Sequence, residues 1–310
     1  GLFMMVIIGA IIVIGVIYLL LKRHESRMVL IAAGILMAVI AGKPMAALDA
    51  FAKSMTNAGL ITSVCSCMGF AMVMKYTGCD KHLVVAIGKV LKKMGFMLIP
   101  GATIATFIIN IAIPSAAGCS AAVGVIFIPI LMSAGIHPAM AAAAVKSGTY
   151  GSMLNPGLVH NGVIAKLSNV EITEVITHHM MADIVGVIIA ATTLTILAIF
   201  LKENKGYLPE GGNDAVAEDL KINPLYALMP LLPVIILLVG STGMAPILKM
   251  GVPQAMLIGA LLSLAVTRSN PTKLTKSFFD GMGDAYANII GIIISVGVFV
   301  SGMQSLGLVK

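Results

Sequence analysis

Between residues 96 and 134 the chain is apolar and uncharged on both sides of one short turn, Pro114-Ser115-Ala116-Ala117-Gly118-Cys119-Ser120. In hydrocarbon, irregular backbone persists only where protein buries it or where it lines a watery cavity. A Ser- and Gly-containing turn at that depth reads as a re-entrant hairpin, about 96–134, with its tip at a substrate site. Pro114 ends the first arm, because it lacks an N–H and clashes with a continuing helix. The second arm is expected to begin near Cys119–Ser120, its free N–H groups and positive dipole end facing the tip and suiting a carboxylate. Ser115 and Ser120 add hydroxyl donors, and Ala116, Ala117 and Gly118 are small enough for a ligand to approach the backbone. Such a hairpin points to a transporter.

The rest of the chain fits that setting. It is 59% hydrophobic and 11% charged, with a mean hydropathy of +1.03, which excludes a soluble domain and indicates an all-α polytopic membrane protein. A span needs roughly 20 apolar residues. Spans are expected near 2–21, 28–42, 60–76, 182–201, 225–241, 252–267 and 284–303, with a broken span at about 138–168. The first run reads as a span rather than a leader, because Lys22-Arg23 follows it and no small-residue cleavage site does. Cys65, Cys67, Cys79 and Cys119 lie in or beside spans without His partners at ligand spacing and read as packing residues.

The net charge of +7 does not indicate nucleic acid, since the basic residues sit in short loops beside spans. With the N-terminus outside, Lys22, Arg23, Arg27, Lys75, Lys81, Lys89, Lys92, Lys93, Lys202, Lys205, Lys221, Arg268, Lys273 and Lys276 all fall on the cytoplasmic side. Single cysteines at positions 92 and 210 should therefore resist an impermeant thiol reagent added to intact cells; strong labelling of either would reverse the orientation. Residues 80–93 pattern as a basic amphipathic helix on the inner membrane surface.

Residues 202–224 form a polar cytoplasmic linker between two segments of similar order. In 1–201 a span leads to Lys43-Pro44, a short amphipathic stretch ending at Lys53-Ser54, and a span ending at Gly78. In 225–310 a span leads to Asn270-Pro271, a short amphipathic stretch with Lys276-Ser277, and a span ending near Gly307. The charge-based orientation makes these repeats inverted, the arrangement of many secondary transporters. By that logic the second repeat, 225–310, is incomplete in this chain, and a further stretch of about 120 residues with a second hairpin is expected beyond it, without which 1–310 would not transport.

A second polar feature, Lys146-Ser147-Gly148-Thr149-Tyr150-Gly151-Ser152 followed by Asn155-Pro156-Gly157, interrupts the apolar run from Ala139. Three Gly and a Pro unwind a helix there, placing Ser147, Thr149, Ser152 and Asn155 at the level of the hairpin tip. Freed carbonyls near Ser147, Gly148 and Asn155 are the expected place for a Na⁺ ion, and the half-helix after Pro156 for an anion. Lys146 either pairs with a substrate carboxylate or snorkels to an interface. His160, Asn161, His178, His179 and Asp183 are weaker candidates, for proton handling. The expected substrate site is thus Ser115, Ala116, Ala117, Gly118, Ser120, Lys146, Ser147, Thr149, Asn155 and Pro156. No metalloprotease His pair, nucleophile elbow or phosphate-binding Gly loop is present, so an enzyme is not expected; nor is a cofactor, apart from coupling to Na⁺ or H⁺.

Ser115-Ala116-Ala117-Gly118, the Ala-rich run 139–144 leading to Leu154-Asn155-Pro156, and Gly281-Met282-x-Asp284-Ala285-x-Ala287-Asn288 resemble the anaerobic C4-dicarboxylate uptake family C of the ion transporter superfamily. The resemblance covers most of the chain. It implies a bacterial inner-membrane carrier for fumarate, malate and succinate, with two hairpins entering from opposite sides and an elevator-type movement. The expected partners are a small dicarboxylate, the lipid bilayer and a second copy in a homodimer. Other members of the superfamily carry Ser-Asn-Thr at each hairpin tip and bind Na⁺ there, where this chain has Ser115-Ala116-Ala117. The alternative is a cation/proton antiporter of the same superfamily, which needs a deeply buried carboxylate; only Asp183 and Asp284 approach spans.

Overall fold

The computed structural model describes residues 1–56, 58–83, 86, 93–112, 116–154, 164, 168–170, 172–208, 220–241 and 243–310. Among them the chain is helical, with no strand. The helices are α1 (Leu2–Leu21), α2 (Ser26–Ile40), α3 (Pro44–Ser54), α4 (Ala58–Thr77), α5 (Leu98–Ala112), α6 (Ala116–Ser133), α7 (Pro138–Ser147), α8 (Ile172–Phe200), α9 (Pro224–Leu228), α10 (Leu232–Ser241), α11 (Val252–Thr267), α12 (Pro271–Ala285) and α13 (Gly291–Ser305). Among the described residues three runs are long and apolar enough to cross a membrane: Leu2–Leu21, Glu174–Phe200 and Pro271–Ser305. Large apolar side chains such as Ile11, Ile14, Ile188, Ile189 and Ile196 stand exposed along the first two, as contact with lipid requires.

The element ends follow local chemistry. The Glu25 carboxylate accepts from Met28 N–H (2.8 Å) and caps α2. That bond first, and then the Arg27 guanidinium, hold its carboxyl below the usual range. Pro44, Pro138, Pro224 and Pro271 each open a helix, where the missing N–H costs nothing. The Asn223 and Asn270 side chains accept from Leu225 N–H and Lys273 N–H, both at 3.0 Å.

Several expectations change in the structure. The helix expected to begin near Cys119–Ser120 begins at Ala116, a turn earlier, because the Ala-Ala pair is a strong helix former. Ser120 therefore stands inside the helix rather than at its first residue. The span expected at 182–201 belongs to a helix that starts at Ile172, taking in Glu174, His178 and His179. The span at 225–241 is divided by a 3₁₀ turn at Met229–Leu231, since Pro230 and Pro233 remove N–H donors. The amphipathic stretch from Pro271 and the span after it are one unbroken run, joined by a π-helical turn at Tyr286–Ile290. That turn frees the Ala287 carbonyl, which accepts from the Arg27 guanidinium (2.8 Å), and Tyr286 donates its hydroxyl to Met55 O (3.1 Å). The basic stretch 80–93 is helical through Leu83, and most of the remainder lies outside the described residues.

The chain divides into two compact units, residues 1–61 with 283–310 and residues 62–282. In the first, α2 and α3 pack on α13. A Cβ on Gly34 would lie 2.4 Å from Val298 O, one on Gly302 2.4 Å from Gly34 O, and one on Gly297 2.4 Å from Ser54 Oγ. In the second unit, α4 packs with α11 and α12. A Cβ on Gly259 would lie 2.9 Å from the Phe70 ring, and one on Gly281 2.6 Å from Met68 O and 3.0 Å from Gly69 Cα. The second unit also holds the core formed by Leu98, Ile99, Leu131, Met140, Ala141, Ala144 and Ala198, in which the Ala-rich α7 lets α5, α6 and α8 approach.

Candidate functional site

The site is built on α5. Thr103, Thr106 and Asn110, at spacings of three and four, lie on one helical face, and all three are fully buried. Thr103 donates its hydroxyl to Ala144 O of α7 (3.0 Å) or to Ile99 O of its own helix (3.1 Å); Thr106 donates to Ala102 O (2.7 Å). The Asn110 side-chain oxygen accepts from Ser152 N–H at 2.6 Å, tying α5 to the chain after α7. Cys119 Sγ lies 3.9 Å from Thr106 O and joins the second arm, α6, to the first.

α7 stops at Ser147, one turn into the interrupted segment. Gly148 and Gly151 are poor helix formers, and the Thr149 hydroxyl takes the Lys146 carbonyl (2.7 Å) that a continuing helix would need. A 3₁₀ turn follows at Gly151–Leu154. Both glycines press on α5. A Cβ on Gly148 would lie 2.5 Å from Thr103 O and 2.8 Å from Phe107 N, and one on Gly151 2.0 Å from Phe107 O. Tyr150 stands on the Phe107 ring, centroids 5.1 Å apart and nearly perpendicular, and donates its hydroxyl to Asp183 O of α8 (3.3 Å). Gly186 makes room for it, since a Cβ there would lie 3.1 Å from the Tyr150 hydroxyl.

Of the expected residues, Ala116, Ala117, Gly118 and Ser120 lie on α6, Lys146 and Ser147 on α7, and Thr149 just after it. Ala116 and Ala117 are half-buried in the first turn of α6, which also contains Gly118. The Ser120 hydroxyl is buried without a hydrogen-bond partner among the described residues, an orphan donor of the kind that a bound polar group satisfies. Thr149 is buried, Ser147 half-buried, and the Gly148 carbonyl already accepts from Gly151 N–H (3.4 Å). Lys146 is exposed, in the last turn of α7. Ser115, Asn155, Pro156, His160 and Asn161 lie outside the described residues, as does Pro114. Asn110 was absent from the expected set although its signal was present: it is the single amide in the uncharged run 96–113, where a polar side chain at membrane depth marks an internal contact.

The comparisons bear on this geometry. Residues 36–310 match the family model DcuC, described as a C4-dicarboxylate anaerobic carrier. A Haemophilus influenzae protein described as an uncharacterized transporter is 59% identical over 135 residues, covering 44% of this chain and 93% of its own. The anaerobic C4-dicarboxylate transporter DcuC of Escherichia coli O6:H1 is 21% identical over 336 residues, covering 99% of this chain and 72% of its own. A Vibrio cholerae protein named as a DcuC transporter is 22% identical, covering 97% of this chain and 71% of its own. No solved structure matches. The family and the apolar helices make this a multi-pass transporter of the bacterial inner membrane and not an enzyme. The chain belongs to the DcuC family of C4-dicarboxylate anaerobic carriers.

Proposed function

We propose that this protein is a secondary transporter of C4-dicarboxylates (fumarate, succinate and malate), working by alternating access of the elevator type, as symporter or antiporter. The observation that carries this reading is the joint between hairpin and broken helix: Asn110 bonded to Ser152 N–H, with the unpartnered Ser120 hydroxyl on the facing arm. The relatives named as C4-dicarboxylate transporters support the substrate class. They give no support to the antiporter of cations and protons. Formal charge is scarce around the joint, so the dicarboxylate is held mostly by the first-turn N–H groups of α6, by hydroxyls and by the freed backbone near Ser147 and Thr149.

The inverted repeat is part of the proposal. Its support is the similar order of elements, with a proline-opened helix, α3 at Pro44 and α12 at Pro271, following an apolar helix in each segment. An elevator carries its site as one body, and α5, α6, α7 and the break fall within one compact unit. A homodimer is the expected assembly, and cross-linking in the membrane tests it.

The experiment is counterflow of labelled succinate in proteoliposomes. The wild-type carrier should exchange external label for internal succinate. Asn110→Leu leaves the Ser152 N–H buried without an acceptor, a cost of about 1–3 kcal/mol, and should lower exchange about tenfold or more. Absence of wild-type exchange with succinate, fumarate and malate would refute the substrate class, and wild-type rates in Asn110→Leu would refute the site.

A further inference from the structure

One ionisable cluster lies beside the proposed site without belonging to it. On α8, His179 Nδ1 and the Asp183 carboxylate are 2.5 Å apart, one helical turn from each other. Their side chains are 26% and 15% exposed. The pair stands within Glu174–Phe200, a helix apolar and long enough to cross a membrane. An Asp at the centre of such a helix costs about 2.5–3.5 kcal/mol on insertion scales and less toward its ends, and ionisable groups retained within membrane helices mark ion or proton paths. A purely structural cross-link at this spacing would be met by an amide pair at lower cost.

The pair is mechanically joined to the broken helix. Tyr150, between the two glycines pressed on α5, donates to the carbonyl of Asp183 and lies against Gly186 one turn on. The Tyr150 ring stands on Phe107, whose own backbone is the surface that Gly148 and Gly151 contact. A shift of α8 about Asp183 therefore reaches the break through one side chain. Of the elements packed on α8, α5 and the 151–154 turn carry no ionisable residue. α7 carries Lys146 in its last turn and His137 as its N-cap, and α8 itself adds Glu174 and His178. Tyr150 is a titratable group that reaches Asp183 from outside α8, through the Asp183 carbonyl.

We infer that the His179–Asp183 pair is the proton-coupling site of this carrier, an inference that rests on the carrier reading above. Histidine is the side chain whose charge ordinarily changes between about pH 5 and 8. One proton from water on one side adds to the pair, raising its net charge by one. The same proton leaves to water on the other side, and both groups return to their starting state. That change of one charge is felt at the break through Tyr150.

Exchange and accumulation separate the two readings. In proteoliposomes at equal pH, His179→Gln and Asp183→Asn should keep succinate counterflow, because exchange moves no net proton. With an inward gradient of one pH unit, the wild type should accumulate succinate about tenfold for each proton carried, and neither variant should accumulate it. A pH-sensitive dye inside the vesicles should report succinate-driven acidification in the wild type only. Accumulation retained in both variants would overturn the inference. So would loss of counterflow in both, which would place the pair in the exchange machinery, or wild-type accumulation driven by a Na⁺ gradient and not by a pH gradient. Absence of wild-type counterflow would instead refute the carrier reading.

Discussion

Succinate exchange by Gly151→Ala is expected to fall about 100-fold, with the protein still inserted and folded. The cause is steric. A Cβ at this position would sit 2.0 Å from the Phe107 carbonyl oxygen, which is backbone in the middle of α5 and has no rotamer by which to retreat. The turn after α7 must move away from the hairpin arm, and the hydrogen bond from Ser152 N–H to Asn110, formed one residue later, is the first to break. A displacement near 1 Å is enough to spoil a binding geometry. Gly101→Ala is the matched control on α5 itself, where a new Cβ would meet only the tip of Met94 at 3.6 Å. Counterflow of the two variants, normalised to protein extracted and monodisperse in detergent, checks the prediction. Normal exchange by Gly151→Ala would mean that the junction of break and hairpin is not needed for transport.

The largest effect on stability is expected from Gly34→Ala. A Cβ there would lie 2.4 Å from Val298 O and 2.8 Å from Phe299 Cα, so α2 and α13 have to separate where they cross. The crossing is doubly tight, because Gly302 meets Gly34 backbone from the other side. Overpacking of this kind typically costs 1–3 kcal/mol, and apposed backbone puts this site at about the upper end. The unfolding midpoint in detergent should drop by several degrees, on the order of what 2–3 kcal/mol produces. Gly15→Ala on α1, where a Cβ would meet nothing within 4 Å, should leave it unchanged. Equal midpoints for the two variants would contradict the close crossing.

Much of the architecture was legible along the chain because it is written locally. Twenty apolar residues before Lys22 make α1 wherever they are placed. Gly148, Gly151 and the intervening Thr149 interrupt α7 through propensity and a side-chain bond to the preceding turn, both of short range. The proline that opens α3 recurs at the start of α12, and in both places it sets the helix start. Where local reading went astray, a local preference was outvoted or miscounted. Ala116 and Ala117 extend α6 toward the tip, and a π turn carries α12 into α13 through a stretch rich in glycine.

What the sequence by itself determined is therefore the membrane class, most helices and the place where α7 stops. These depend on apolar length, turn residues and caps, each spanning a few residues. The tertiary structure decided which of them meet. Asn110 accepts from Ser152 N–H across 42 residues, and Tyr150 reaches Asp183 across 33. Gly34 meets Val298 from the far end of the chain. No periodicity announces such pairs. In an apolar surrounding, helices associate by close fit of small residues and by the pairing of buried polar groups, and neither has a partner until the fold supplies one.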